Sequence, residues 1–270
     1  MKKYLLVCVS ILGGVSASFA APAFSENFNS YVNGNLAGTT QNELGQGPWA
    51  QNNVSSTTPI QVSNGRALLG TSGQDVYAAF SSAVANPDGT SFYYALTLNV
   101  ISAQATGDYF FHVSNPAGTT SLFYERLFAR SSGAGFQLGL LDTSGTGSLT
   151  TWGATELPLS TDHRIVVAQN SIAGANNDTF SVYVNPTDLG VEGNNTAYLT
   201  HTWTSVNAET ATYAAVNLRQ GSGANAANVL VDDIQVSKTF SEAAGVPEPS
   251  SIALATMGGL AMLGFLKRRK

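Results

Sequence analysis

Cysteine is all but missing from this 270-residue chain; the only one is Cys8. It lies in an apolar N-terminal run, so no disulfide framework holds the fold and stability must come from packing. Histidine is scarce, with three residues (His112, His163 and His201) far apart in sequence. There is no H-E-x-x-H helix and no G-x-S-x-G nucleophile elbow, which removes the commonest metalloprotease and serine-hydrolase signatures. Charge is thin, with Asp, Glu, Lys and Arg at 11% of residues. Six of the twelve cations crowd the two ends: Lys2, Lys3, Lys267, Arg268, Arg269 and Lys270. Between them stand only Arg66, Arg126, Arg130, Arg164, Arg219 and Lys238, against seventeen acids, a net of −11 between the two basic clusters. So acidic a body argues against nucleic acid or an anionic polymer as partner. Helical period and internal repeats are also absent between the ends.

The ends themselves are rich in signal. Lys2 and Lys3, the apolar run from Tyr4 to Val15, and Ser18-Phe19-Ala20 form the three parts of a secretory signal peptide. Cleavage is expected between Ala20 and Ala21. At the other end, Val246-Pro247-Glu248-Pro249-Ser250 is held extended by its prolines. A charge-free segment follows at 251–266, then an all-basic terminus at 267–270. This predicts a short transmembrane helix whose C-terminus is cytoplasmic. Sixteen residues span about 24 Å at ~1.5 Å each, short of the ~20 residues usually needed. Snorkelling of Lys267 and Arg268 and local bilayer thinning cover the difference.

With Pro247, Glu248 and Pro249 ahead of the apolar helix and basic end, the tail resembles the PEP-CTERM sorting signal of Gram-negative bacteria. The resemblance implies an exosortase-type protease as partner, an inner-membrane-anchored intermediate, and delivery to the cell surface or extracellular matrix. It also implies a producer of exopolysaccharide. An ordinary anchor that is never cleaved is the alternative.

Between the ends, short apolar alternations are separated by Gly, Asn, Asp and Ser. Ser91 to Ile101 is the longest, with Phe92, Tyr94, Leu96, Leu98 and Val100 on one face. In Leu122 to Ala129, strict alternation puts Leu122, Tyr124, Arg126 and Phe128 on one face and Phe123, Glu125 and Leu127 on the other. In Val229 to Val236 the apolar phase changes. Either a bulge lies at Asp232-Asp233, or Leu230, Asp232, Ile234 and Val236 share the inner face. The pattern predicts an all-β antiparallel β-sandwich of jelly-roll type. The domain is expected at 21–240, with a linker at 241–245 and the sorting signal at 246–270.

The order of motifs resembles the laminin-G-like, concanavalin A-like lectin/glucanase jelly roll. Glu26-Asn27-Phe28, the Phe136 to Leu140 strand and Asp162 to Val167 carry it first. Asp178 to Pro186, Leu218 to Gly221 and Val231 to Val236 follow. The resemblance implies about 12–14 strands in two curved sheets, one of which binds glycans in some members. It also implies a structural Ca²⁺ where first and last strands meet, with Glu26 and Asp232 as the matching acids; hard oxygens suit that ion. The family's glucanases use carboxylates at alternate positions of one strand, because only those share a face. No such run exists here. Exposed aromatics are the usual sugar platform, and Trp49, Trp152 and Trp203 lie in or near loops or strand ends, with Tyr93 and Tyr109 as further candidates. The leading expectation is a non-enzymatic exported protein contacting exopolysaccharide. A degenerate polysaccharide-active enzyme and an inert surface coat are the alternatives.

Overall fold

A computed structural model gives the structure of the protein and describes residues 22–38, 48–52, 58–143 and 149–245. The signal peptide, the Ala20–Ala21 junction, Pro247, Glu248, Pro249 and the apolar tail lie outside the described residues. Among the described residues, no helix is long and apolar enough to cross a membrane.

Among the described residues the alternations become sixteen strands. They are β1 (Phe24–Glu26), β2 (Gly34–Asn35), β3 (Ala50–Gln51), β4 (Gln61–Ser63), β5 (Arg66–Leu69) and β6 (Asp75–Ala85). Then come β7 (Ser91–Ser102), β8 (Asp108–Ser114), β9 (Phe123–Ser132), β10 (Gly135–Thr143) and β11 (Thr151–Trp152). The set ends with β12 (Asp162–Asn170), β13 (Thr179–Val184), β14 (Leu199–Thr202), β15 (Thr212–Arg219) and β16 (Asn228–Ser237). The count exceeds the expected 12–14 because β2, β3 and β11 are two-residue edge pairings that no hydrophobic alternation announces.

All strand pairings among the described residues are antiparallel and form two sheets. One runs β14-β13-β12-β7-β16-β5-β4-β2, with β1 also on β16; the other runs β11-β10-β9-β8-β15-β6-β3. Early and late strands meet in both, β1 with β16 and β6 with β15, which closes the sandwich. The inner faces bury Phe92, Tyr94, Leu96, Leu98 and Val100 of β7 completely, against Phe111, Val113, Leu127 and Leu138 of the opposite sheet. Each such side chain contributes ~1.5–3 kcal/mol of transfer free energy.

Two strands break alternation. In β16 the pairing with β7 shifts between Asp232 and Gln235, and Asp233 has φ 46°. This is the bulge alternative, and it lets Val229, Val231, Ile234 and Val236 all face inward. In β9, Tyr124 pairs with Val113 and Leu127 with Phe111, so Glu125 and Arg126 together stand opposite the single residue His112 in the ladder. Glu125 takes φ 51°. The strict alternation expected for β9 therefore fails: Tyr124, Leu127 and Ala129 pack in the core, while Arg126, Phe128 and Arg130 form the opposite face.

The expected linker is not a linker. Helix α1 (Phe240–Ala244) is capped by Thr239, whose side chain accepts from the Glu242 amide. Phe240 packs edge-on against Tyr93 and Tyr183, at 6.1 and 5.4 Å between ring centroids, on the outer face of the nine-stranded sheet. Arg164 Nη2 donates to the Ala243 carbonyl at 2.6 Å. Gly245 ends the helix in the left-handed conformation. The folded unit thus runs to Gly245 rather than stopping at 240, because Phe240, Ala243 and Ala244 have an apolar surface to bury.

Candidate functional site

The outer face of the seven-stranded sheet gathers rings and guanidinium groups. After the β9 bulge, residues 126, 128 and 130 share this face by the two-residue period of a strand. Arg126 and Arg219 lie over the Tyr109 ring, 5.0 and 4.0 Å from its centroid. Phe128 bridges Tyr109 (5.5 Å) and Trp152 (6.1 Å, edge-on). Arg130 covers Trp152 at 4.2 Å, and its Nε and Nη2 both donate to Gln137 Oε1 at 3.1 and 2.9 Å. Tyr109, Phe123, Phe128, Trp152, Arg130 and Arg219 are all partly exposed.

Trp152 can lie close to the sheet because two glycines leave room. A Cβ on Gly139 would come within 2.7 Å of the indole, and one on Gly107, whose φ is +77°, would meet it at the same distance. Either substitution would lift the ring off the strip. Beneath the surface, Asn217 Nδ2 donates to Ser114 Oγ at 2.9 Å and Asn217 Oδ1 accepts from Asn52 Nδ2 at 2.9 Å.

Charge on this face is uneven. Arg219 is matched by Asp108 (2.8 Å) and more loosely by Asp75 (3.8 Å). Burial would raise Asp108, but hydrogen bonds from Arg219 and Ser222 hold its carboxyl below the ordinary value. Burial pushes Asp75 up to about 6, against the pull of Arg219. His112 is held neutral by burial and by the nearby Arg126 and Arg219. Its ring lies 4.4 Å from Phe123, and both ring nitrogens are buried without a hydrogen-bond partner. Arg126 Nε is also buried and unpartnered.

The expected aromatics divide. Trp152 and Tyr109 are on this strip. Trp49 is 1% exposed and packed between Phe24 and Phe28, its Nε1 donating to Glu26 at 3.0 Å. Trp203 is 5% exposed, stacked on Phe180, and its Nε1 donates to the carbonyls of Ser205 and Asn207. Neither ring offers a face to solvent; loop position misplaces them because these loops fold inward over the sandwich ends. Tyr93 lies under α1 with its hydroxyl donating to Glu192.

The two acids matched to a calcium site are not brought together. Glu26 points into the core, accepting from the Phe28 amide (2.8 Å), the Tyr31 hydroxyl (2.7 Å) and Trp49. Asp232 points outward on the bulge, 3.7 Å from Arg66 Nε. Facing opposite sides of one sheet, they do not fit a shared cation. Among the described residues, no three His, Cys, Asp or Glu side chains are grouped to hold a metal.

His201 joins an acid–histidine–hydroxyl array. Its Nδ1 is 2.8 Å from Thr151 Oγ1 and its Nε2 is 3.4 Å from Asp142 Oδ2. The histidine and aspartate side chains are 1% and 0% exposed, so the array ties β10, β11 and β14 together. His163 is tied by Nε2 to the Pro158 carbonyl and by Nδ1 to Asn185.

Arg126, Phe128, Arg130, Phe123, His112 and Arg219 were missed as site residues. One signal was present: Arg126-Leu127-Phe128-Ala129-Arg130 alternates cation, ring and cation at period two.

Fold and face define a two-sheet, all-β sandwich of jelly-roll kind carrying an aromatic and cationic strip. Residues 245–270 match the PEP-CTERM protein-sorting motif. That motif implies exosortase-type export and membrane-anchored sorting in Gram-negative bacteria. No curated protein matches the chain in sequence. Similar solved structures include domain 4 of an extracellular arabinanase from Geobacillus stearothermophilus in complex with arabinotriose, at 17% identity and TM-score 0.44, covering 83% of this chain and 97% of that one. Another is the endo-β-1,4-glucuronan lyase of the fungus Trichoderma reesei, at 10% identity and TM-score 0.42, covering 83% and 98%. A third is the carbohydrate recognition domain of Emp46p in its potassium-bound form, at 9% identity and TM-score 0.47, covering 80% and 97%.

Proposed function

We propose that this is an exported, non-enzymatic surface or matrix protein whose sandwich contacts the producing cell's own exopolysaccharide. The contact lies on the outer face of the seven-stranded sheet. In this reading residues 1–20 are removed after Ala20, and the 246–270 tail holds the protein in the inner membrane until an exosortase-type enzyme processes it near Pro247-Glu248-Pro249. The observation that carries the reading is the strip itself. Trp152, Phe128 and Tyr109 form a run of partly exposed rings held in place by guanidinium groups. Sugar C–H groups pack against a mixed surface of ring edges and stacked guanidinium planes, and groups fixed in advance lose little entropy on binding.

Affinity electrophoresis of the full chain in mild detergent, with the host's exopolysaccharide in the gel, tests it. Trp152→Ala is expected to weaken retention at least tenfold and leave the melting temperature within ~2 °C, since this partly exposed ring lies outside the core cluster. Trp49→Ala and Trp203→Ala are expected to lower the melting temperature instead. No retention on any polysaccharide would leave a surface coat without a glycan ligand.

One observation favours a second reading, a polysaccharide-active enzyme. Asp75 and Asp108 flank Arg219 and are pushed in opposite directions, the pattern of a proton donor beside an ionised carboxylate. Both are already engaged by Arg219 and Asp108 also by Ser222, which suits a structural knot. Release of reducing ends from the polymer between pH 4 and 8, abolished by Asp75→Asn, would replace the non-enzymatic reading.

A further inference from the structure

The net charge of the body disguises how its few cations are spent. Arg66 forks onto Asp162 at 2.8 and 2.7 Å. Arg164 donates to the carbonyls of Asp233 and Ala243, and Lys238 donates to the carbonyl of Ala85. The remaining three of the six, Arg126, Arg130 and Arg219, stand on the strip. Arg219 is neutralised by Asp108 and Asp75. Arg126 and Arg130 make no ion pair among the described residues. Arg130 is oriented by a neutral acceptor, Gln137, and Arg126 keeps a buried Nε with no partner. A guanidinium without a carboxylate among the described residues, in a chain with seventeen acids, attracts an anion. Burying charge without a partner is costly, and a planar fork matches a carboxylate better than any other common group.

Resting on the polysaccharide reading above, we infer that the polymer bound on this strip is acidic: a uronate-bearing strand whose carboxylates meet Arg126 and Arg130 while its sugar faces lie on Trp152, Phe128 and Tyr109. The two arginines are four residues apart on one strand, about 13 Å at ~3.3 Å per residue. That is longer than a single sugar ring, so the pair reads two acidic units of one chain rather than one small ligand. The acidity of the rest of the body argues against a polyanion at long range, but screening at physiological salt confines that repulsion to about 8 Å. The local face then decides.

The test uses the full chain in mild detergent on gels containing polyglucuronate, and on gels containing the same polymer with its carboxyl groups reduced to primary alcohols. Retention at least tenfold stronger on the acidic polymer is expected. Arg130→Gln should lose about tenfold of it, and Arg126→Lys, which keeps charge but not the fork, should lose severalfold. The wild-type comparison of the two polymers needs no variant, so it stands even if a substitution at the nearly buried Arg126 unfolds the domain. Equal retention on both polymers overturns the inference and leaves the polysaccharide reading intact. Retention on a uronate-free host polymer alone does the same. Retention on no polymer at all removes both.

Discussion

Glu125→Gln is expected to raise the melting temperature by about 10 °C at pH 8 and to change it little at pH 5. Glu125 is fully buried at the β9 bulge. Its carboxyl oxygens make no well-formed hydrogen bond among the described residues; the Tyr213 hydroxyl beside them donates to Gln169. Burial pushes the carboxyl up to about 8, Tyr213 opposes this, and Asp178 adds to it. Unfolded, the same group ionises near its ordinary 4.5. Between those two values the native state binds a proton that the unfolded chain releases, so stability falls as pH rises through the window. The loss is on the order of a few kcal/mol, and ~1 kcal/mol is worth ~2–4 °C in a domain of this size. Glutamine is uncharged at both pH values and removes the loss. His112 acts in the other direction: held neutral when folded, it costs stability as pH falls below its ordinary value. The difference between wild type and variant cancels that contribution, so scanning calorimetry of both proteins from pH 5 to 8 isolates Glu125. Parallel profiles would show that the carboxyl is not held protonated.

Glu26→Gln is expected to lower the melting temperature by about 6–12 °C at neutral pH. One carboxylate oxygen accepts from the Phe28 amide, and the other accepts from both the Tyr31 hydroxyl and the Trp49 indole. An amide in that place sets its own N–H against two donors. Losing charge-assisted hydrogen bonds in a buried site costs about 1.5–3 kcal/mol, with the stranded donors adding more, and the melting shift follows from the same scaling. Trp49→Phe keeps the ring contacts with Phe24 and Phe28 and loses only the indole N–H, so a smaller drop is expected. Chelator or added Ca²⁺ should leave wild-type melting unchanged, because the oxygens of Glu26 already serve protein donors and Asp232 faces the other way. A calcium-dependent rise of several degrees would restore a metal at this seam.

Legibility followed the range of the interactions. Ser91 to Ile101 reads as a buried strand because alternation is a local property of side-chain direction, and the structure buries the predicted residues. Asp232-Asp233 could be narrowed to two registers, and the long pairing of β16 with β7 chose the bulge. In β9, alternation misassigned Phe123 and Tyr124, which exchange faces ahead of the bulge, since the bulge opposite His112 answers to β8 and leaves no mark in composition. The five residues before the sorting motif read as a linker because Phe240 finds Tyr93 and Tyr183 only after distant strands come together.

By itself the sequence determined the all-β sandwich and the PEP-CTERM sorting tail, because strand period, turn residues and a Pro-Glu-Pro, apolar and basic order are written in neighbouring positions. Only the tertiary structure decided which tryptophans are core, that Glu26 and Asp232 face apart, and that Arg126, Arg130 and Arg219 converge on one face. Those facts depend on which side of a sheet each residue takes and on the partners that distant strands deliver there, and no local pattern contains either.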